Sequence, residues 1–145
     1  MGIQIRYEKK IPEIKRRRLR QKIKTVLKDL GCDKKEISIL FTDDKKIAEL
    51  NKRYLKRDGP TNVMSFPIME RGILGDIVIS VDTAKRETEK TGETLEEALL
   101  RLFIHGLLHL LGYDHERSEE EEKKMQKEEE RLLSCLLYTS PSPRD

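Results

Sequence analysis

Residues 105 to 115 read His-Gly-Leu-Leu-His-Leu-Leu-Gly-Tyr-Asp-His and hold all three histidines of the chain, His105, His109 and His115. Imidazole is the commonest protein ligand for transition metals. His105 and His109 are four residues apart, so a helix sets them on one face, one turn above the other. Gly112 then lets the chain leave the helix, because glycine tolerates the left-handed backbone that ends many helices. His115 follows and can fold back toward the other two. Three imidazoles on one point suit a zinc ion with an open fourth position, whereas structural zinc is normally closed by four protein ligands. A lone histidine on an apolar helix is ordinarily a core residue. Three of three histidines falling on one ligand frame point instead to a metal centre.

The spacing His-x-x-x-His-x-x-Gly-x-x-His is also the ligand frame of the metzincin metalloproteases. In that frame a Glu directly after the first His is the general base. Here the position is Gly106. The pattern therefore keeps a metal-activated water and lacks the protease's proton acceptor. Asp76, Asp114, Glu116 and Ser65 are polar candidates to act near the metal, and each serves equally well in a turn, in a cap, or in a bond to a ligand histidine.

The histidines need a rigid carrier. Thr94 and Glu97 have capping-box spacing and open a helix that delivers His105 and His109. Leu95, Ala98, Leu99, Leu102, Phe103, Leu107, Leu108, Leu110 and Leu111 cover nearly every face of it, so it is buried. Ser118 and Glu121 repeat the capping-box spacing and open a last helix with Met125, Leu132, Leu133, Leu136 and Leu137.

Upstream, Ile3, Ile5 and Tyr7 alternate with polar residues as a first strand. Ile11 to Leu30 carries a helical apolar stripe, with Pro12 in its first turn and Gly31 as its stop. Residues 36–42 read as a second strand, and Asp43 or Thr42 caps a helix with Ile47, Leu50 and Tyr54. Asp58 to Pro67 is a turn and a short strand, which Pro67 restricts to a sheet edge or terminates. Gly75 to Val81 is the clearest strand, and Ser80 and Asp82 precede a polar helix to about Lys90. About four strands and five helices predict an α+β domain with a single mixed sheet, packed against a central buried helix that carries the metal-binding histidines. The domain spans residues 1–137. Residues 138–145, with no pattern, read as a disordered tail or a cloning scar.

At 145 residues the chain is large enough for one cored domain, and 39% of it is charged. The net charge of +3 conceals an asymmetry: residues 1–60 hold 19 Lys and Arg against 9 Asp and Glu, and the remainder 11 against 18. A basic amino-terminal half suits a nucleic acid partner, or simply solvates helix faces. Cys32 and Cys135 form no ligand pair and no disulfide framework. No apolar amino-terminal run marks a signal peptide, and the apolar stretch Leu99–Leu111 is too short to cross a membrane. These features predict a reducing, cytoplasmic setting and no membrane partner.

The run His105–His115 resembles the signature of the YbeY family of bacterial endoribonucleases, His-Gly-x-Leu-His-Leu-x-Gly-Tyr-Asp-His. Pro60-Thr-Asn-Val-Met-Ser-Phe-Pro67 is similar to that family's Pro-Thr-Asp/Asn-Val-Leu-Ser-Phe-Pro, and Gly75-Asp-Ile and Leu50-Asn-x-x-Tyr54 also fit. The resemblance implies a zinc-dependent, single-strand-specific ribonuclease that matures the 3′ end of small-subunit ribosomal RNA and acts in ribosome quality control. It implies one zinc per chain on His105, His109 and His115. Many members carry an Arg, implicated in activity, directly after the Tyr matching Tyr54. Here that position is Leu55, which leaves Arg53, Lys56 and Arg57 as candidates to reach the substrate in its place.

Together these observations predict metal-assisted hydrolysis of RNA, with ribosomal RNA or the ribosome as partner. Two rivals remain: a metallopeptidase on the metzincin-like frame, which Gly106 weighs against, and a non-catalytic RNA-binding assembly factor with a bound metal. The scarcity of aromatic residues limits base stacking in any of them.

Overall fold

The computed structural model describes residues 2–113 and 118–139, the last three of these by backbone alone. In chain order the elements are β1 (Ile3–Tyr7), α1 (Arg16–Asp29), β2 (Glu36–Thr42), α2 (Asp44–Leu55), β3 (Val63–Pro67), β4 (Ile73–Ser80), α3 (Val81–Thr91), α4 (Leu95–Leu110) and α5 (Glu119–Thr139). The four strands form one mixed sheet in the order β1-β2-β4-β3. β1 and β4 run parallel to β2, and β3 runs antiparallel to β4 with Ser65 opposite Ile77. The α+β architecture and the element tally agree with the sequence. Pro67 does end its strand, and that strand is an edge.

Alternation along the strands divides the two faces. Ile37, Ile39, Phe41, Ile77 and Ile79 point to the main core, where they meet Leu19, Ile23 and Val26 of α1, the apolar residues of α4, and Met125, Leu132 and Leu136 of α5. Met64 and Val78 point the other way and enclose a small second core with Ile47 of α2. α4 buries nine of its sixteen residues, from Ala98 to Leu108. Both halves of its capping box are formed: Thr94 Oγ1 accepts from Glu97 N at 3.1 Å, and Glu97 Oε1 accepts from Thr94 N at 2.9 Å. Among the described residues no helix is long and apolar enough to cross a membrane.

Several boundaries differ from expectation. Residues 11–14 form a turn closed by Ile14 N donating to Ile11 O, and α1 begins only at Arg16. Ile11 and Ile14 are both buried, so a turn that buries residues three apart imitates the helical stripe. Val81 opens α3 rather than closing β4, because Ser80 Oγ accepts from Thr83 N and caps the helix there. Asp43, not Thr42, caps α2, accepting from Lys46 N at 2.9 Å. Ser118 Oγ accepts from Glu121 N, as its spacing predicted, and α5 then runs on through Tyr138 and Thr139, into the stretch read as tail. Residues 140–145 lie outside the described residues.

Candidate metal centre and RNA cavity

The two described histidines meet because they lie four residues apart on one face of α4, which packs close against the sheet. At Gly106 an added Cβ would sit 3.0 Å from Ser65 Oγ and Ile77 Cγ2 and 3.1 Å from Val63 Cγ2, so glycine lets the helix approach this closely without displacing those side chains. Ser65 Oγ donates to Gly106 O at 2.8 Å and locks β3 to the helix. His105 and His109 then open beside β3. Their rings are 4.7 Å apart and nearly perpendicular, and their Nε2 atoms are 3.2 Å apart. Two imidazoles on one tetrahedral zinc, each with Zn–N of about 2.0–2.1 Å, place their nitrogens roughly 3.3 Å apart. The observed pair fits that requirement. Gly112 leaves the helix with φ 101°, as its position predicted. His115, Asp114 and Glu116 lie outside the described residues.

His105 has a second partner that the sequence did not single out. Its Nδ1 lies 2.6 Å from Glu129 Oε2 of α5. Glu129 sits four residues after Met125 and three before Leu132, both buried, so it occupies a place on an apolar stripe. A carboxylate in such a register position is the sequence signal that could have found it.

The histidines open into a cavity of about 400 Å³, which Asn51, Leu55, Arg57, Thr61, Asn62, Val63, Met64 and Ser65 also line. Its wall is the loop after α2. Lys56 turns left-handed at φ 57°, and the carbonyl of the buried Asn51 accepts from the backbone N–H groups of Lys56 and Arg57. Asn51 Nδ2 donates to Gly59 O at 3.0 Å. Asn62 O accepts from Ser80 N, and Asn62 Nδ2 donates to Glu87 Oε2. One side-chain amide at each end thus fixes a loop with no regular structure of its own.

Of the candidate substrate contacts Arg53, Lys56 and Arg57, the structure brings Arg57 to the cavity, where Leu55 also lies, whereas Arg53 and Lys56 are exposed and outside its lining. Tyr54, beside Leu55, meets Phe66 edge-on at 5.4 Å. Asp76 is not brought to the histidines. It faces away from Ile77 and lines a separate cavity with Gln4, Glu36 and Ser38. A larger cavity of about 550 Å³ lies at the amino-terminal end of α4, between α1 and α5. It holds no histidine, and Arg18 and Lys22 on its wall both pair with Glu96.

Residues 4–136 match the profile of the endoribonuclease YbeY family. Relatives include endoribonuclease YbeY of Syntrophus aciditrophicus (strain SB), 46% identical over 125 residues that cover 81% of this chain and 78% of that protein. Endoribonuclease YbeY of Aquifex aeolicus (strain VF5) is 52% identical over 98 residues, 65% of each chain, and that of Geobacter sulfurreducens is 42% identical over 127 residues, 83% of this chain and 85% of the relative. The solution structure of a Thermotoga maritima protein superposes with a TM-score of 0.64 at 28% identity and covers 97% of both chains. The fold and these matches define a nuclease of the hydrolase class. The chain belongs to the endoribonuclease YbeY family.

Proposed function

We propose that this chain is a zinc-dependent endoribonuclease that cuts single-stranded RNA, with His105, His109 and His115 as the ligands of one zinc ion. In this reading it works in the cytoplasm on ribosomal RNA, in maturing the small-subunit 3′ end and in ribosome quality control. The observation that carries the metal half is the pair of Nε2 atoms 3.2 Å apart, opening into a cavity of mixed polar and apolar lining in an endoribonuclease-family chain.

Zinc bound there supplies an acidified water and a Lewis acid for a phosphoryl oxygen. The chain's own residues do the rest. Three neutral imidazoles cancel none of the ion's charge, so the cavity favours an anionic substrate. Arg57, on the cavity wall, is placed to hold a phosphate flanking the scissile bond through charge-assisted hydrogen bonds. Leu55 presents an apolar surface where many relatives present a cation, and this suits the face of a base. Ser65 is committed to Gly106 O and Asp76 faces away, so neither is placed to move a proton at the metal. Beyond the cavity, Arg17, Lys24 and Lys28 expose one basic face of α1 with no acidic partner among the described residues, a surface that suits the path of a longer RNA.

The peptidase reading loses support at Gly106. The frame's general base is missing at this position, and a Cβ added there would press within 3.0–3.1 Å of Ser65, Ile77 and Val63. The test pairs two substrates, labelled single-stranded RNA and casein, with the same zinc-loaded protein. RNA cleavage without casein hydrolysis is the expected result. Casein hydrolysis that vanishes on His109→Ala would revive the peptidase, and salt-sensitive RNA binding without cleavage would favour an assembly factor.

A further inference from the structure

We propose that Glu129 is a positioning residue for His105: it holds the imidazole with its proton on Nδ1 and leaves Nε2 bare toward His109, and so sets the affinity of the cavity for a divalent transition metal. This rests on the metal reading above and adds to it a residue from a different helix.

Three observations carry it. The Nδ1–Oε2 distance of 2.6 Å is short even for a charge-assisted bond, and a carboxylate oxygen there is the acceptor that an Nδ1–H needs. Glu129 also sits where an apolar side chain is expected, between Met125 and Leu132, each 1% exposed. A carboxylate on such a stripe costs stability unless it is paired, and its partner is the ligand histidine. Finally, its neighbours differ from it. Glu130 is exposed, and Glu128 bonds to Arg131 at 2.8 and 2.9 Å on the outer face. Arg131 reaches across to both carboxylate oxygens of Asp29 on α1, at 2.7 and 3.2 Å, while the buried Met125, Leu132 and Leu136 set the rotation of α5 that turns Glu129 inward. Of three consecutive glutamates, the fold aims one at the metal frame. A metal-bound histidine characteristically donates its other ring N–H to such an acceptor, which fixes the tautomer and raises ligand basicity.

The test uses the full chain and two variants. Glu129→Leu keeps the apolar stripe and removes the acceptor; Glu129→Gln keeps an acceptor without the charge. Zinc affinity is read by competition with a chromogenic chelator, and the His105 tautomer by nitrogen-15 NMR of the imidazole in metal-free protein. Glu129→Leu should weaken zinc binding by about 10–100-fold and Glu129→Gln by less, because the rescued bond still orients the ring. Metal-free wild type should carry the His105 proton on Nδ1. A folded Glu129→Leu protein with unchanged zinc affinity and unchanged tautomer overturns the proposal. If that variant does not fold, a wild-type proton on Nε2 overturns it alone. Zinc binding that survives His109→Ala overturns the metal reading and the affinity half of this proposal together, while the tautomer measurement still decides the contact itself.

Discussion

Gly106 follows the first histidine of the frame, and its missing side chain lets α4 pack close against β3 and β4. Gly106→Ala places a methyl 3.0 Å from Ser65 Oγ and Ile77 Cγ2, in a wall of packed strand. Overpacking of this kind costs about 1–3 kcal/mol. An unfolding free energy from urea titration lowered by that amount, together with weaker zinc binding, is the expected outcome; unchanged values for both would mean that α4 can stand off the sheet freely. At the cavity wall, Arg57→Ala should slow RNA cleavage by roughly tenfold or more, the worth of one charge-assisted hydrogen bond, whereas Arg53→Ala and Lys56→Ala should change it little. Steady-state kinetics on one RNA compares the three directly. Equal losses in all three would show that general basicity, and not Arg57, holds the substrate.

At the scale of the element, α4 and β4 were legible because each speaks in one register: a full capping box before an apolar helix, and a β-branched run between turns. The apolar run of α4 is the packed surface that holds His105 and His109 rigid. Thr94→Ala removes one of the two capping-box bonds and should lower stability by about 1 kcal/mol, or a few degrees in melting temperature. Calorimetry that finds no change would show the helix start to be held by packing alone. What was not legible has physical causes. The turn at residues 11–14 buries isoleucines three apart and so copies a helical stripe. Glu129 is hidden in a glutamate-rich run, and only its register with the buried Met125 and Leu132 distinguishes it from the glutamates beside it. The cavity loop depends on Asn51 and Asn62, whose bonds reach Gly59, Glu87 and Ser80. Those contacts arise only after α2, α3 and β4 are assembled.

For the whole molecule, the charged surface is stitched by carboxylates whose folded-state pKa values lie below their ordinary range. Hydrogen bonds from Arg131 lower Asp29 and Glu128, and the Arg101 guanidinium lowers Glu93. At Asp44, partial burial pulls upward, but hydrogen bonds from Arg86, Ser80 and Thr83 outweigh it and the net shift is down. Depressed carboxylates contribute stability that is fully present above their unfolded values near pH 4 and is lost as pH falls through the lower folded values. Unfolding free energy should therefore hold level from neutrality to about pH 5 and fall below about pH 4. Asp44→Asn should flatten part of that fall. A stability that instead rises on acidification would contradict the assignment.

The account turns on whether His109 holds a metal that cuts RNA. The most direct measurement is cleavage of a labelled single-stranded RNA by zinc-loaded protein, with His109→Ala purified and assayed in parallel. The expected result is one zinc and endonucleolytic products for the wild type, and neither for the variant. Equal cleavage by both proteins, or full zinc in His109→Ala, would contradict it.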